Sequence, residues 1–243
     1  MEIYRRLCEI WSQDYIATLP AAIGERGFDY SENEAQKDIL ITGINPSFDP
    51  REAPGRSFHF GDILFDRVRK SRYWQPIKKM LCDADIDLRD RAAYLDLFYF
   101  REKEQGFLRR EILPNPAGIR FLVDQANLTQ HIIEEVVKPK LIVVANKESA
   151  AYWGKHAEEG IIWMGYDLRF VKRTKAGELY RIAGLLDSAQ RVGPEFRHTN
   201  IRNSFILFSQ HINRFTPAEK RPTAQMLQVL SDYGAAYRLL DEI

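Results

Sequence analysis

The sequence predicts a single domain of the three-layer α/β/α class, built around a central, largely parallel sheet of four strands. Apolar, β-branched runs typical of buried strands alternate along the chain with segments whose apolar residues recur at helical spacing. Neither an internal repeat nor a low-complexity linker separates them. We therefore assign residues 1–243 to one domain, with a helical extension over about 1–35 and an insertion expected over about 155–203.

The composition is that of an ordinary globular protein, with 45% hydrophobic and 28% charged residues. The net charge of +1 excludes a globally basic protein but leaves room for a local basic face. Cys8 and Cys82 form no C-x-x-C pair, so neither a zinc site nor a disulfide framework is predicted. The sequence has no signal-like leader and no apolar run near the roughly 18 residues that span a membrane. We expect a cytoplasmic protein without a metal or cofactor.

Residues 1–30 carry apolar residues at helical spacing, which predicts an amphipathic helix packed on the domain and a second helical or irregular piece. The repeating positions are Ile3, Leu7, Ile10, Trp11 and Tyr15.

The first predicted strand, residues 38–44, ends abruptly in a polar loop. Open α/β sheets bind ligands just beyond the carboxyl ends of their strands, so chemistry is expected in this loop. Gly43 lets the backbone approach a ligand closely, and Pro46 stiffens the exit from the strand. Asn45 lies between them as a polar side chain on a rigid turn.

The loop from about Pro46 to Phe60 is long for a segment without structure of its own, which is typical of functional or disordered loops. Its Phe58 and Phe60 either stack on a ligand or anchor the loop to the core, and the sequence leaves both roles open. Residues 72–81 then predict a helix whose first turn accommodates a proline.

Two further strands flank a long helix. Residues 92–100 are apolar except for Asp96, a carboxylate that needs a partner or a function if it is buried. Residues 118–138 predict a helix with Glu134 facing outward. Residues 139–146 form the clearest buried strand, and with the short helical segment that follows they make half of a βαβ unit.

The last third of the chain is less regular. Residues 155–203 are locally basic, which fits either a solvated surface or a phosphate-binding face. Residues 204–209 predict a strand that breaks into a polar, aromatic and basic loop containing His211. Residues 217–240 predict a closing helix with Tyr237 facing inward.

Five short motifs together carry a family resemblance. They are Gly43-Ile44-Asn45-Pro46, Arg72-Tyr73-Trp74, Leu95-Asp96-Leu97, the strand and helix from Pro139 to Gly154, and the segment from Leu207 to Phe215. In order and spacing they resemble the uracil-DNA glycosylase superfamily, and the first motif is closest to its mismatch-specific thymine/uracil branch. The resemblance covers most of residues 38–216.

The sequence departs from that family at three positions. The Pro-Ser that follows the family's final His is Ile212-Asn213 here, although Asn213 retains the ability to hydrogen-bond a phosphate. Ser47 stands where the closest branch has Gly. Asp96 stands where the uracil-specific branch has a base-reading Asn.

The resemblance implies hydrolysis of the N-glycosidic bond of a flipped damaged or mismatched base, uracil or a similar one. It implies that Asn45 positions the attacking water and that His211 donates a hydrogen bond to the departing base. The expected base pocket comprises Gly43, Ile44, Pro46, Ser47, Phe58, Phe60 and Asp96. The expected DNA contacts are Asn213, Arg214 and Phe215, with Phe215 or Arg214 filling the gap in the base stack.

The expected partner is therefore damaged or mismatched DNA, bound by a monomer with no membrane contact and no metal cluster. Two other functions remain open. One is a protein of this fold that binds nucleic acid or a nucleotide without glycosylase activity. The other is a different α/β enzyme that acts on a small phosphorylated or nucleoside-like substrate, since a fold alone does not establish a reaction.

Overall fold

The computed structural model describes residues 3–33, 35–68, 72–104, 106–193 and 195–233. The strands are β1 (Asp29–Glu32), β2 (Ile39–Gly43), β3 (Arg56–His59), β4 (Ala92–Asp96), β5 (Leu141–Val144), β6 (Tyr166–Arg173), β7 (Gly177–Leu185) and β8 (Phe205–Ser209). The α-helices are α1 (Ile3–Trp11), α2 (Ala21–Arg26), α3 (Phe60–Leu64), α4 (Gln75–Leu81), α5 (Pro116–His131), α6 (Ala150–Trp153) and α7 (Ala224–Tyr233). Short 3₁₀ segments cover Asp14–Thr18, Arg72–Trp74, Arg89–Arg91, Ala157–Glu159 and Ala218–Lys220, and π-helical segments cover Leu108–Ile112 and Ile132–Val137.

Six strands form the central sheet in the order β4-β2-β5-β8-β7-β6. The first four run parallel to their neighbours, whereas β7 and β6 are antiparallel. The predicted α/β class and the largely parallel sheet are confirmed, but the sheet has six strands rather than four. The two additional strands come from residues 155–203. Trp163, Met164 and Phe170 suggest strands there, but charged residues break the alternation of apolar residues, so the sequence pattern does not define where these strands begin and end.

The core lies on both faces of this sheet because successive residues of a strand point to opposite sides. On β5, Ile142 belongs to the cluster that contains Leu7 of α1 and Phe121 of α5. Its neighbour Val143 belongs to the cluster on the other face, which contains Leu227 of α7. The strands are thus covered by helices on both sides, as the continuous apolar runs in the sequence predict.

A second, two-stranded sheet lies beside the central one. It pairs β1 with β3 in parallel, from Asp29 opposite Arg56 to Glu32 opposite His59. The N-terminal extension is therefore helical only up to α2 and ends in a strand. The long loop after β2 likewise contains regular structure, namely β3 and the start of α3 at Phe60.

The predicted outward position of Glu134 is wrong, since its side chain is fully buried. Its carboxylate accepts hydrogen bonds from the Tyr166 hydroxyl at 2.9 Å, the Thr199 hydroxyl at 2.8 Å and the Asn200 backbone N–H at 2.6 Å. These donors belong to residues 155–203, which fold back over the end of the long helix. Helical periodicity cannot reveal such cover because it comes from a distant part of the chain.

The apolar spacing of Ala224, Leu227 and Leu230 predicts that they face inward in the closing helix, and all three are buried. The predicted start of this helix at residue 217 is wrong, because α7 begins at Ala224 and a separate 3₁₀ segment covers Ala218–Lys220. The predicted continuation to residue 240, with Tyr237 inward, lies outside the described residues. Within the described ranges, no helix has the length and apolar character that crossing a membrane requires.

Candidate functional site

A cleft of about 330 Å³ opens at the carboxyl ends of β2, β5 and β8. These three strands are consecutive neighbours in the sheet, so the residues that follow them meet at one edge. The cleft is lined by Ile44, Asn146, Lys147, Glu148, Gln210 and His211. Two of the predicted site residues, Ile44 and His211, therefore lie in the same cavity.

Asn45 is held by its own side-chain amide beside this cleft. The Nδ2 group donates to the Glu102 carbonyl at 2.7 Å and to the Pro46 carbonyl at 3.0 Å. Both amide protons are used in this way, which leaves Oδ1 as a hydrogen-bond acceptor. Ile44, and not Asn45, is among the residues that line the cleft.

The strands that carry Asn45 and His211 are not direct neighbours, because β5 lies between them. Two strand spacings separate them by about 10 Å. The main chain near His211 is fixed by a hydrogen bond from Ile212 N to the Ala145 carbonyl at 3.3 Å. Among the described residues, the buried Nδ1 atom of His211 has no hydrogen-bond partner.

Asn146, two residues beyond the end of β5, is a cleft residue that the sequence pattern did not identify as part of a site. Its side chain is only 4% exposed, and its Oδ1 accepts a hydrogen bond from Ser149 N at 2.8 Å. Its Nδ2 atom is buried without a partner in the described part of the chain, as are the hydroxyls of Ser149 and Thr42. The signal that could have identified it is an Asn placed between the clearest strand and a helix, where Asn commonly caps the turn.

The aromatic residues of the loop after β2 pack together on the β4 side of the sheet. Phe58 and Phe60 both contact Trp74, each with ring centroids 5.7 Å apart. They also contact Tyr94, at 6.2 and 5.5 Å respectively. Phe60 is 4% exposed and Phe58 is half-buried, and neither lines the cleft. Phe60 is therefore a core residue. Stacking of either ring on a ligand stays a prediction.

Asp96 ends β4 and is buried in this aromatic surrounding, with an exposed fraction of 8%. The Tyr94 hydroxyl donates to its Oδ1 at 2.8 Å. The pKa of Asp96 is raised to about 7, chiefly by burial; the hydrogen bond from Tyr94 lowers it in part, and the negative charge of Asp29 adds to the increase. The carboxyl group is therefore partly protonated near neutral pH and can donate as well as accept a hydrogen bond.

The position of the Asp96 carboxylate leaves room only for a glycine at position 43. Gly43 pairs with Asp96 across the sheet, and a Cβ atom at position 43 would lie 2.1 Å from Asp96 Oδ1 and 2.4 Å from the Tyr94 hydroxyl. The absence of a side chain at Gly43 thus makes room for Asp96 and Tyr94. The predicted approach of a ligand to this glycine stays a prediction.

The loop after β8 presents an aromatic side chain to solvent. Asn213 Oδ1 accepts hydrogen bonds from Phe215 N at 2.7 Å and from Thr216 N at 3.1 Å, and Arg221 donates to the Asn213 carbonyl at 3.1 Å. Phe215 is 76% exposed, and the guanidinium of Arg214 lies 4.5 Å from its ring centroid. The side chain of Asn213 therefore builds a tight turn at the position where the resembling family has Pro-Ser, and its phosphate contact stays a prediction.

Pro46 and Ser47 continue the loop after β2. The Pro46 carbonyl accepts a hydrogen bond from Glu102 N at 2.9 Å, which fixes the loop from a second side. Ser47 is exposed, and its expected contact with a base is untested by the geometry. Among the described residues, no group of three or more His, Cys, Asp or Glu side chains is arranged to hold a metal ion.

Comparisons with known proteins identify no relative of this chain. No family model matches it. No curated protein matches it. No solved structure matches it.

Proposed function

We propose that the protein is a DNA glycosylase-like hydrolase that cleaves the N-glycosidic bond of a damaged or mismatched base, uracil or a similar one. The observation that carries the proposal is the pair formed by the clamped Asn45 amide and the cleft residue His211. They lie at the ends of β2 and β8, two strand spacings apart. A fixed acceptor on one side and an imidazole on the other are the groups that such a hydrolysis needs.

In this proposal, Asn45 acts by orienting water. Because its Nδ2 is held by the Glu102 and Pro46 carbonyls, its Oδ1 is directed away from them and can accept a hydrogen bond from one water. That water adds to C1′ of the sugar while the bond from C1′ to the base nitrogen breaks. The bonding electron pair leaves with the base, and the proton of the water passes to solvent. A neutral amide does not remove this proton, so we expect slow turnover.

His211 acts on the leaving group. As the bond to C1′ breaks, negative charge develops on the base and is spread over its ring nitrogens and carbonyl oxygens. An imidazole N–H in the cleft stabilises this charge by a hydrogen bond that is stronger in the transition state than in the ground state. The departing anion then takes up a proton from solvent.

The proposed substrate is a base extruded from DNA because the loop after β8 carries a wedge. Phe215 is 76% exposed on a turn that Asn213 and Arg221 hold in place, four residues after His211. A rigid, exposed aromatic ring next to a base pocket can fill the gap in the stack, which lowers the cost of keeping the nucleotide extruded. Arg214 beside it and the cations of the 155–203 segment are expected to contact phosphates.

One observation favours a second function, binding of nucleic acid or a nucleotide without this hydrolysis. Ile44 lines the cleft and Asn45 does not, so the water-orienting Oδ1 lies beside the cavity. A ligand held only by Asn146, Gln210 and His211 would not need this oxygen.

The two functions are separated by incubating the protein with oligonucleotides that contain uracil, thymine opposite guanine, or hypoxanthine, followed by alkaline cleavage of the abasic product. The proposed function predicts strand cleavage with at least one of them and none after Asn45→Ala. Salt-sensitive binding without cleavage indicates the second function. Absence of both product and binding, with release of base from free nucleosides, would indicate a small-molecule nucleoside hydrolase instead.

A further inference from the structure

We infer that Asn146 is a second hydrogen-bond donor to the departing base, acting beside His211; this inference rests on the proposed function. Asn146 lies within the strand and helix from Pro139 to Gly154, but the family resemblance assigned it no role in the reaction. It is identified instead by its position, its burial and the fixed direction of its amide.

The position follows from the register of the parallel strands. Thr42 pairs with Val144, and Val144 pairs with Phe208. Continuing each strand by two residues places Asn146 between Ile44 and Gln210, in the row that lines the cleft. Asn146 therefore follows β5, the strand that lies between β2, which precedes Asn45, and β8, which precedes His211.

The direction of the amide is set by the turn after β5. Asn146 Oδ1 accepts a hydrogen bond from Ser149 N at 2.8 Å, so the oxygen end of the amide points to the start of α6. The Nδ2 end must then point the other way, and it is buried without a partner among the described residues. Because the capping bond excludes a flipped amide, the group that faces the cleft is a donor.

Buried donors without partners are rare in folded proteins, and each one indicates either strain or a function. At this edge of the sheet, Asn146 Nδ2 is accompanied by His211 Nδ1 and the hydroxyls of Ser149 and Thr42. Lys147 and Glu148 at the cleft are both exposed, and Glu148 lies 3.7 Å from the Arg109 guanidinium, so their charges are largely screened by solvent.

A donor with this geometry fits a ligand that carries a hydrogen-bond acceptor and gains negative charge during the reaction. A pyrimidine or purine with a carbonyl oxygen meets both conditions, because its leaving anion spreads charge onto that oxygen. Since the donor is already oriented, it stabilises the developing charge without reorganisation in the transition state.

The test compares Asn146→Asp with Asn146→Ala in single-turnover release of uracil and of 5-fluorouracil from otherwise identical DNA. Asp retains the oxygen that caps Ser149 N and replaces the donor by a carboxylate oxygen, so the turn is preserved. We expect Asn146→Asp to lower the rate of uracil release by about 100-fold or more, and Asn146→Ala by a similar or smaller factor.

The dependence on the leaving group separates this role from a structural one. Fluorine makes the departing base more acidic, so it needs less stabilisation, and the loss in Asn146→Asp should be clearly smaller for 5-fluorouracil. Asn115 supplies the matched control, because it also caps a helix through Oδ1 and donates through Nδ2, to the Thr18 carbonyl at 3.0 Å. Asn115→Asp should release both bases at the wild-type rate.

The inference is overturned if Asn146→Asp releases uracil as fast as the wild type while Asn45→Ala is inactive, a result that leaves the proposed function intact. An equal loss for both bases also overturns it, because it indicates a structural effect. If the wild type itself releases no base from any substrate, the proposed function fails and the inference fails with it.

Discussion

Asp96 illustrates how burial at the end of a strand changes the chemistry of a single residue. The sequence identifies it as a carboxylate in an apolar run, and the structure supplies the partner that such a group needs, the Tyr94 hydroxyl at 2.8 Å. Its raised pKa, about 7, is caused chiefly by burial. This shift has a measurable consequence for stability whether or not Asp96 reads a base.

We predict that replacing Asp96 by Asn changes how stability depends on pH. An unfolded Asp titrates near 3.9, so between about pH 4 and pH 7 the native state binds a proton that the unfolded state lacks. Asp96 therefore stabilises the native state at acidic pH, and this contribution to the free energy of unfolding is lost as pH rises through the native pKa. Relative to Asp96→Asn, the wild type should gain about 2–3 kcal/mol in its free energy of unfolding from about pH 8 to about pH 5.

The measurement is urea unfolding of both proteins at the two pH values. Taking the difference between wild type and variant cancels the other titrating groups, which are shared. A difference that is the same at both pH values would show that Asp96 is ionised normally in the native state.

Gly43 gives a second prediction at the scale of one residue. A methyl group there would lie within 2.1 Å of Asp96 Oδ1, so Gly43→Ala must displace Asp96 and Tyr94. We expect it to lower the free energy of unfolding by about 1–3 kcal/mol in urea titrations. Gly24 in α2 is the matched control, because a Cβ there meets no atom within 4 Å and Gly24→Ala should raise stability by about 0.5–1 kcal/mol. Equal effects of the two substitutions would exclude the steric role of position 43.

At the scale of elements, the loop after β8 connects the cleft to the exposed ring of Phe215. We predict that Phe215→Ala lowers the rate of base release from duplex DNA by about 10-fold or more, and much less from single-stranded DNA, where no gap in a base stack needs filling. The two rates are measured with the same lesion in single- and double-stranded oligonucleotides.

Phe170 provides the control for this loop, since it is also strongly exposed, at 57%, but lies on the β6–β7 hairpin. Phe170→Ala should leave the ratio of the two rates unchanged. If Phe215→Ala slows both substrates equally, Phe215 acts on the pocket or on folding and not as a wedge.

The elements also show which parts of a fold a sequence pattern can reveal. The four parallel strands are buried on both faces, so each is a continuous apolar run that stands out in the sequence. The β6 strand lies at the edge of the sheet and exposes several of its residues, so its charges resemble those of a loop. Helical spacing wrongly places Glu134 on the surface, because the residues that bury its carboxylate, Thr199 and Asn200, are far away in sequence.

At the scale of the whole molecule, the candidate site also combines features that a sequence pattern reveals with features that depend on contacts in the fold. The rule that ligands bind at the carboxyl ends of parallel strands was enough to single out Asn45 and His211. It could not identify Asn146, because the direction of that amide depends on a capping bond to Ser149. Nor could it show that Phe60 is part of the core, since its contacts with Trp74 and Tyr94 bring together three separate segments.

The charge distribution of the molecule predicts a moderate dependence of DNA binding on salt. The net charge is +1, yet the β6–β7 hairpin, residues 166–185, carries five Lys and Arg against two Asp and Glu. If two or three phosphates are neutralised, affinity should fall by about 10- to 50-fold as salt rises from about 50 mM to about 200 mM. Fluorescence anisotropy with a labelled duplex measures this, and an affinity independent of salt would contradict a phosphate-binding face.

The most direct test of the central claim is single-turnover release of free uracil from duplex DNA by the wild type, Asn45→Ala and Asn115→Ala, measured by chromatography. We predict release by the wild type and by Asn115→Ala, which loses a helix cap at a residue that does not line the cleft, and a loss of at least about 100-fold in Asn45→Ala. Equal rates for folded wild type and folded Asn45→Ala would contradict this prediction, as would the absence of any released base.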